Sequence, residues 1–358
     1  MRFRCANLEE DSKLERTFFP KELSVSRIRG LLLNILAGES MVCDLNCFLN
    51  GIKRFCQEVQ DVRAKRRTSR RILKIIKIQN EVNNYLRERY VAPYLMEAKF
   101  ESSIQQEKDK IVWQYWDTGL EKAPRIVKAS INSVRRNLPS GYKHIVLSDE
   151  TIRKFVQIPE WIMLKRKNNP SFRTTFFSDI LRLFLLEKYG GIWIDATIFM
   201  SSEIPAHILK SPFFCFYRGR EEPRDALVYE SFNPTYFSWR PEFKVRQCNS
   251  FLVADKSHPF VSALKEMLLK YWEREDEIRH YFIFQLLFEE LIKTPPYSGI
   301  KWDCENDLKI HRMLFDVKRS FNQEQWGEMC SSCYVHKLTY YKDAEKDSFY
   351  SYIEKFGS

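Results

Sequence analysis

The chain has 358 residues, 44% of them hydrophobic, 15% aromatic and 29% charged, with a formal net charge of +11. That composition supports a large folded core and excludes a disordered or low-complexity chain. No apolar run reaches the roughly 18–20 residues that a membrane-crossing helix needs, and nine scattered cysteines point to reduced thiols rather than a disulfide framework.

The first ten residues carry acids where a secretory leader needs an apolar stretch, so the expected location is the cytoplasm. Residues 1–108 read as a helical, basic N-terminal region, and 109–358 as a second domain. Ser24 or Ser26 caps a helix through Leu36, Gly38 ends it, and another starts near Asp44. Arg63, Lys65, Arg66, Arg67, Arg70, Arg71, Lys74 and Lys77 then follow without an acid, beside Ile72, Leu73, Ile75, Ile76 and Ile78. This is either a solvated basic face on a core-packed helix or a surface that docks on anionic lipid. No nucleic-acid signature accompanies the charge, so nucleic acid is not an expected partner. Pro93 breaks or kinks the pattern, and the charged connector from Glu101 to Lys110 sets the domain boundary.

Lys110 to Trp116 reads as a strand, Pro124 opens a helix to Asn137, and Tyr142 to Leu147 forms a second strand. Ser148 or Asp149 caps a third helix. Alternation of strand and helix predicts an α/β fold with a parallel sheet. Gln114 and Trp116 fall near a strand's C-terminal end, where open sheets bind ligands. Arg173 precedes a helix from Thr174 to Tyr189 that has almost no polar face and is therefore buried. Gly190 and Gly191 stop it, Ile192 to Ile194 form a short strand, and Asp195 stands at its tip. Asp179 and Arg182 share one face of the helix; they form a structural ion pair or belong to a site. Asp195 reads likewise as a strand-end turn residue or as a ligand-facing carboxylate.

Further strands are expected at Phe213 to Arg218, Leu227 to Tyr229 and Cys248 to Ala254, and helices at Pro259 to Trp272 and Ile278 to Ile292. Cys330 and Cys333, with His336 beyond them, lack the fourth ligand of a zinc site and read as ordinary thiols.

The run F-S-D-I-L-R-L-F-L-L-E-K-Y-G-G-I-W-I-D-A-T, from Phe177 to Thr197, resembles the core of the capsular polysaccharide synthesis proteins. Those are similar to glycosyltransferase family 32, the sugar transferases with a DxD motif. The V-W-Q-x-W opening at Val112, the N-x-F-x-x-A strand at Asn249 and the H-K-L-T at His336 extend the resemblance over roughly residues 110 to 345. It implies a GT-A-like, Rossmann-like nucleotide-sugar transferase core that retains anomeric configuration. By the same resemblance, Trp113, Gln114 and Trp116 serve the nucleotide base. Arg173, Asp179, Arg182, Asn249 and Lys337 serve the rest of the donor. Asp195, Asp179 and Arg182 carry the catalytic role, and Tyr281 and Gln285 lie near the acceptor. Asp195 anchors Mn²⁺ or Mg²⁺, joined by Thr197 and His336. Thr197 stands where the motif has a second aspartate, leaving one carboxylate rather than two. The implied partners are a UDP- or GDP-sugar and a growing capsular or surface polysaccharide or lipid-linked glycan; the basic stretch adds an anionic membrane surface as an expected partner, on the inner face of the plasma membrane. The alternative is a non-catalytic basic module that binds membrane or nucleic acid on a transferase-like fold.

Overall fold

The computed structural model describes residues 41–97, 107–341 and 345–357, with side chains from residue 62 onward. The helix expected before Gly38 and most of the charged connector lie outside the described residues. The chain divides into two compact units, Met1–Arg67 and Thr68–Ser358. One long helix is assigned to Met41–Leu86. Among the described residues no helix is long and apolar enough to cross a membrane.

The second unit is built on a six-stranded sheet in the order β2-β1-β3-β6-β5-β7. Its strands are β1 (Ile111–Tyr115), β2 (Lys143–Leu147), β3 (Gly191–Ile194), β5 (Phe213–Tyr217), β6 (Gln247–Ala254) and β7 (Asp303–Glu305). A separate two-stranded ladder joins β4 (Ile198–Met200) to β8 (Val335–Lys337). β1 pairs in parallel with β2 and β3, and β5 with β7, whereas β6 runs antiparallel to both its neighbours. The predicted parallel sheet is therefore interrupted by one reversed strand, and the class is α/β.

Side chains alternate across a strand, and this alternation builds two cores. Trp113, Tyr115 and Trp193 face one layer, with the helices Thr174–Tyr189, Pro259–Arg274 and Ile283–Leu291. Val112, Ile192 and Ile194 face the other, with Ile198, Met200 and Val335. A sheet covered on both faces needs near-continuous apolar strands, and β3 has every residue buried. The end of the long helix joins the first layer through Ile72, Ile76, Leu86, Tyr90 and Val91. Asn83 and Arg87 donate to the carboxylate of Glu290 at 2.5 and 2.6 Å. Pro93 does not end the helix: a π-helical stretch at Arg87–Val91 runs without a gap into Ala92–Glu97, with helical dihedrals at Leu86 and Ala92 on either side of it.

Several elements differ from expectation. Leu227 to Tyr229 belongs to a helix, Ala226–Phe232, because Ala226 and Tyr229 fall on one buried face at helical spacing. The helix expected after Ser148 is a single 3-10 turn, Ile152–Lys154, and the α-helix starts only after Pro159. β4, β7 and β8 have three residues each, too short for an alternation signal.

The two glycines that end the buried helix have φ of 63° and 92°. A Cβ on Gly191 would stand 2.5 Å from the Ile111 carbonyl oxygen, and one on Gly190 would stand 2.8 Å from that of Ala254. The helix can pass into β3 only because backbone packs on backbone here. Gly191→Ala is expected to cost at least about 2 kcal/mol through strain at positive φ and displacement of β1. An unchanged urea midpoint would contradict this close approach.

Candidate functional site

β1 and β3 run in the same direction, so their C-terminal ends share one edge of the sheet. Trp116 follows one strand and Asp195 the other. A cavity of about 680 Å³ opens there. Its wall includes Asp179, Arg182, Asp195, Thr197, Asn249 and Lys337.

Arg182 is 3% exposed. Its Nη1 lies 2.7 Å from Asp179 Oδ1 and its Nη2 lies 3.1 Å from Asp195 Oδ1. Its guanidinium also stands 5.1 Å from the centre of the Trp193 ring. The Trp193 indole donates to the same Asp195 oxygen at 2.9 Å. Asn249 donates to Asp179 Oδ1 at 2.9 Å. Lys337 Nζ lies 3.0 Å from Asp195 Oδ2 and 3.1 Å from Thr197 Oγ1. It arrives from far along the chain because β8 pairs with β4, Ile198 facing Lys337 in register, and Leu338 N–H donates to Thr197 O at 2.9 Å.

These contacts drive the two carboxylates apart. Burial pushes Asp179 up to about 6; Arg182 opposes this and the Asp195 charge adds to it. Burial also pushes Asp195 upward, but Lys337 and Arg182 outweigh it and hold the group at about 2.

Some predicted residues fall outside the cavity wall. Trp113 is fully buried, and its indole donates to Gly190 O at 3.1 Å. Gln114 is also fully buried; its amide donates to Asp195 O at 3.3 Å, and its oxygen pairs with His144 Nε2 at 2.7 Å. Both are interior residues of β1, whereas Trp116, beyond the strand end, lines the cavity. Arg173 is exposed at the N-cap of its helix; the first turn, Thr174 to Phe176, lines the cavity instead. His336 points away from Lys337, as adjacent strand residues must. It is fully buried, pairs with Ser201 Oγ at 2.9 Å, and is kept neutral by burial, which lowers it to about 3. Tyr281 and Gln285 do line the cavity. Sequence reasoning missed Tyr340, whose ring meets Trp116 edge to face at 6.3 Å, and the wall formed by Phe232, Tyr236 and Phe237. The aromatic run after Ser231 was the available signal for that wall.

A divalent ion at Asp195 was implied by the resemblance, and the residues as arranged do not fit one. Both Asp195 oxygens already accept from Arg182, Trp193 or Lys337. Position 197 adds no charge, and His336 faces away. Among the described residues no group of three or more His, Cys, Asp or Glu is arranged to hold a metal.

Fold and site together define an α/β protein with a charged cavity at the C-terminal edge of its sheet. The sequence matches the family model for capsular polysaccharide synthesis proteins over residues 65–356, most of the chain. The chain belongs to that family. It is also 27% identical over 200 residues to O-glycosyltransferase braB from Annulohypoxylon truncatum, a match spanning 54% of this chain and 44% of that relative. The chain therefore spans less than half the length of this curated relative. Two solved structures are similar at a TM-score of 0.34. The PaToxG glycosyltransferase is 15% identical and matches over 64% of this chain and 80% of its own. The apo WbbM bifunctional glycosyltransferase is 10% identical, over 73% of this chain and 51% of its own.

Two measurements test the charge cluster. Arg182→Leu leaves Asp179 without a cation and Asp195 with Lys337 alone, and is expected to cost about 3–5 kcal/mol of stability; a loss under about 1 kcal/mol in urea unfolding would mean that the pairs are not formed. The second concerns pH. Asp179 binds its proton more tightly folded than unfolded, so its contribution is fully present below about pH 4 and is lost as pH rises through about 6. Asp195 acts oppositely: its contribution is present above about pH 4 and is lost as pH falls through about 2. Stability compared between wild type and Asp179→Asn should show a smaller decline from pH 4 to 6 in the variant. Parallel curves would contradict the raised value.

Proposed function

We propose that the chain is a glycosyltransferase that moves a sugar from a UDP- or GDP-sugar to a growing capsular or surface polysaccharide or a lipid-linked glycan, with retention at the anomeric carbon. The observation that carries this reading is the meeting of two cations, Arg182 and Lys337, with aromatic walls in one cavity at the ends of β1 and β3. Membership of the family and the O-glycosyltransferase relative support it. Retention comes from the family resemblance.

Breaking a sugar–diphosphate bond leaves negative charge on the departing phosphate. Cations fixed beforehand stabilise that charge without reorganising during the step. Asp195 holds both Arg182 and Lys337 in position. Asp179 and Asn249 serve as hydrogen-bonding groups for the donor sugar. Trp116 and Tyr340 supply ring faces for the base, and Tyr281 and Gln285 belong to the acceptor side. Purified chain screened against UDP- and GDP-sugars is expected to gain thermal stability with one donor and to hydrolyse or transfer from it. Asp195→Ala should lower turnover by roughly 100-fold or more. Full turnover in that variant would sink the assignment. No shift with any donor would favour the non-catalytic basic module. The anomeric proton signal of the product decides retention.

The reading includes a peripheral position on the inner face of the plasma membrane. What supports it is the exposed row Arg70, Arg71, Lys74 and Lys77, beside Leu73 and Ile78 at 53% and 49% exposure. Each basic residue near an anionic surface contributes about 1 kcal/mol. Changing all four to Glu should reduce partitioning onto phosphatidylserine vesicles by at least roughly 100-fold. Undiminished binding would remove the membrane role from this helix.

A further inference from the structure

We propose that Lys337, beside Arg182, takes the place of a divalent metal at this site, and that the nucleotide diphosphate binds on its ammonium without one. This rests on the donor reading of the cavity.

Position is the first argument. One ammonium bridges Asp195 Oδ2 at 3.0 Å and Thr197 Oγ1 at 3.1 Å. Those are the two polar side chains, two positions apart, that the turn after β3 brings to the cavity wall. The remaining Asp195 oxygen is taken by Arg182 and Trp193. An ion with two charges bound to Oδ2 would stand beside the Lys337 ammonium, like charge against like.

Charge is the second. Asp179 and Asp195 face Arg182 and Lys337, two carboxylates against two cations. Thr197 is neutral, so this turn offers a single negative charge. A site with one carboxylate there is balanced by a cation of one charge.

The third argument is freedom to act. An ammonium has three N–H donors, and two are accounted for by Asp195 and Thr197. The side chain is 23% exposed and lines the cavity, so one donor remains for a ligand. Lysine binds phosphate oxygens as a point charge, without the fixed fork of arginine. Its backbone is fixed by the β4–β8 ladder, and so the charge is held in place before the ligand arrives.

The test is calorimetric titration of the full chain with UDP and with GDP, in EDTA and then in excess Mn²⁺. Wild type is expected to bind one of the two with a Kd that differs less than threefold between the conditions. Lys337→Ala should weaken binding in EDTA by at least tenfold, and Lys337→Arg should restore most of it. The double variant Thr197→Asp, Lys337→Ala should regain binding only when Mn²⁺ is present. Wild-type binding that appears only with Mn²⁺, or tightens tenfold or more with it, would overturn the proposal and leave the donor reading standing. Unchanged binding by Lys337→Ala in EDTA would overturn it as well. If wild type binds neither nucleotide in either condition, the donor reading falls and takes this proposal with it.

Discussion

A guanidinium buried to the extent of Arg182 is stable only where carboxylates and polar groups surround it. Here it spans two carboxylates that come from different elements, Asp179 on the helix Thr174–Tyr189 and Asp195 beyond β3. The pairing ties the helix to the strand tip and aims Asp195 into the cavity. Asp195 so aimed gives Lys337 its charged partner, and the short ladder of β4 with β8 closes this side of the site. The glycine pair contributes from beneath. It turns the chain sharply enough for helix and strand to pack back to back and keeps Asp179, Arg182 and Asp195 within reach of one another.

The two carboxylates have separate characters although they share one arginine. Asp195 has a second cation and an indole donor, and stays ionised. Asp179 has an amide and more of its charge uncompensated by solvent. The two carboxylates and the two cations in contact balance one another, and Asp117 adds a third carboxylate to the cavity wall. The basic surface of the long helix lies outside that balance.

Much of this was legible in the sequence where local signals were strong. The buried helix was bounded by its unbroken apolar content and the Gly190–Gly191 stop, and the observed element runs from Thr174 to Tyr189. Asp179, Arg182 and Asp195 stood out as charges in apolar context, and the structure brings them together. What stayed hidden depends on pairing between distant segments. β8 has three residues and meets β4 more than a hundred positions away, so nothing local told that Lys337 faces the cavity while His336 faces the core. The same holds for Trp113 and Trp116, both near the end of β1; one lies inside the strand and the other past it, and a difference of that size rests on where pairing stops. The reversal of β6 left no mark, since a strand buried on both faces reads alike in either direction.

The central claim is that this cavity receives a diphosphate on Arg182 and Lys337. A crystal structure of the chain with UDP or GDP, whichever binds, tests it most directly. The account predicts diphosphate oxygens within about 3 Å of Lys337 Nζ, with the base against Trp116. A nucleotide seated elsewhere on the molecule, with Lys337 still closed on Asp195 and Thr197, would contradict it.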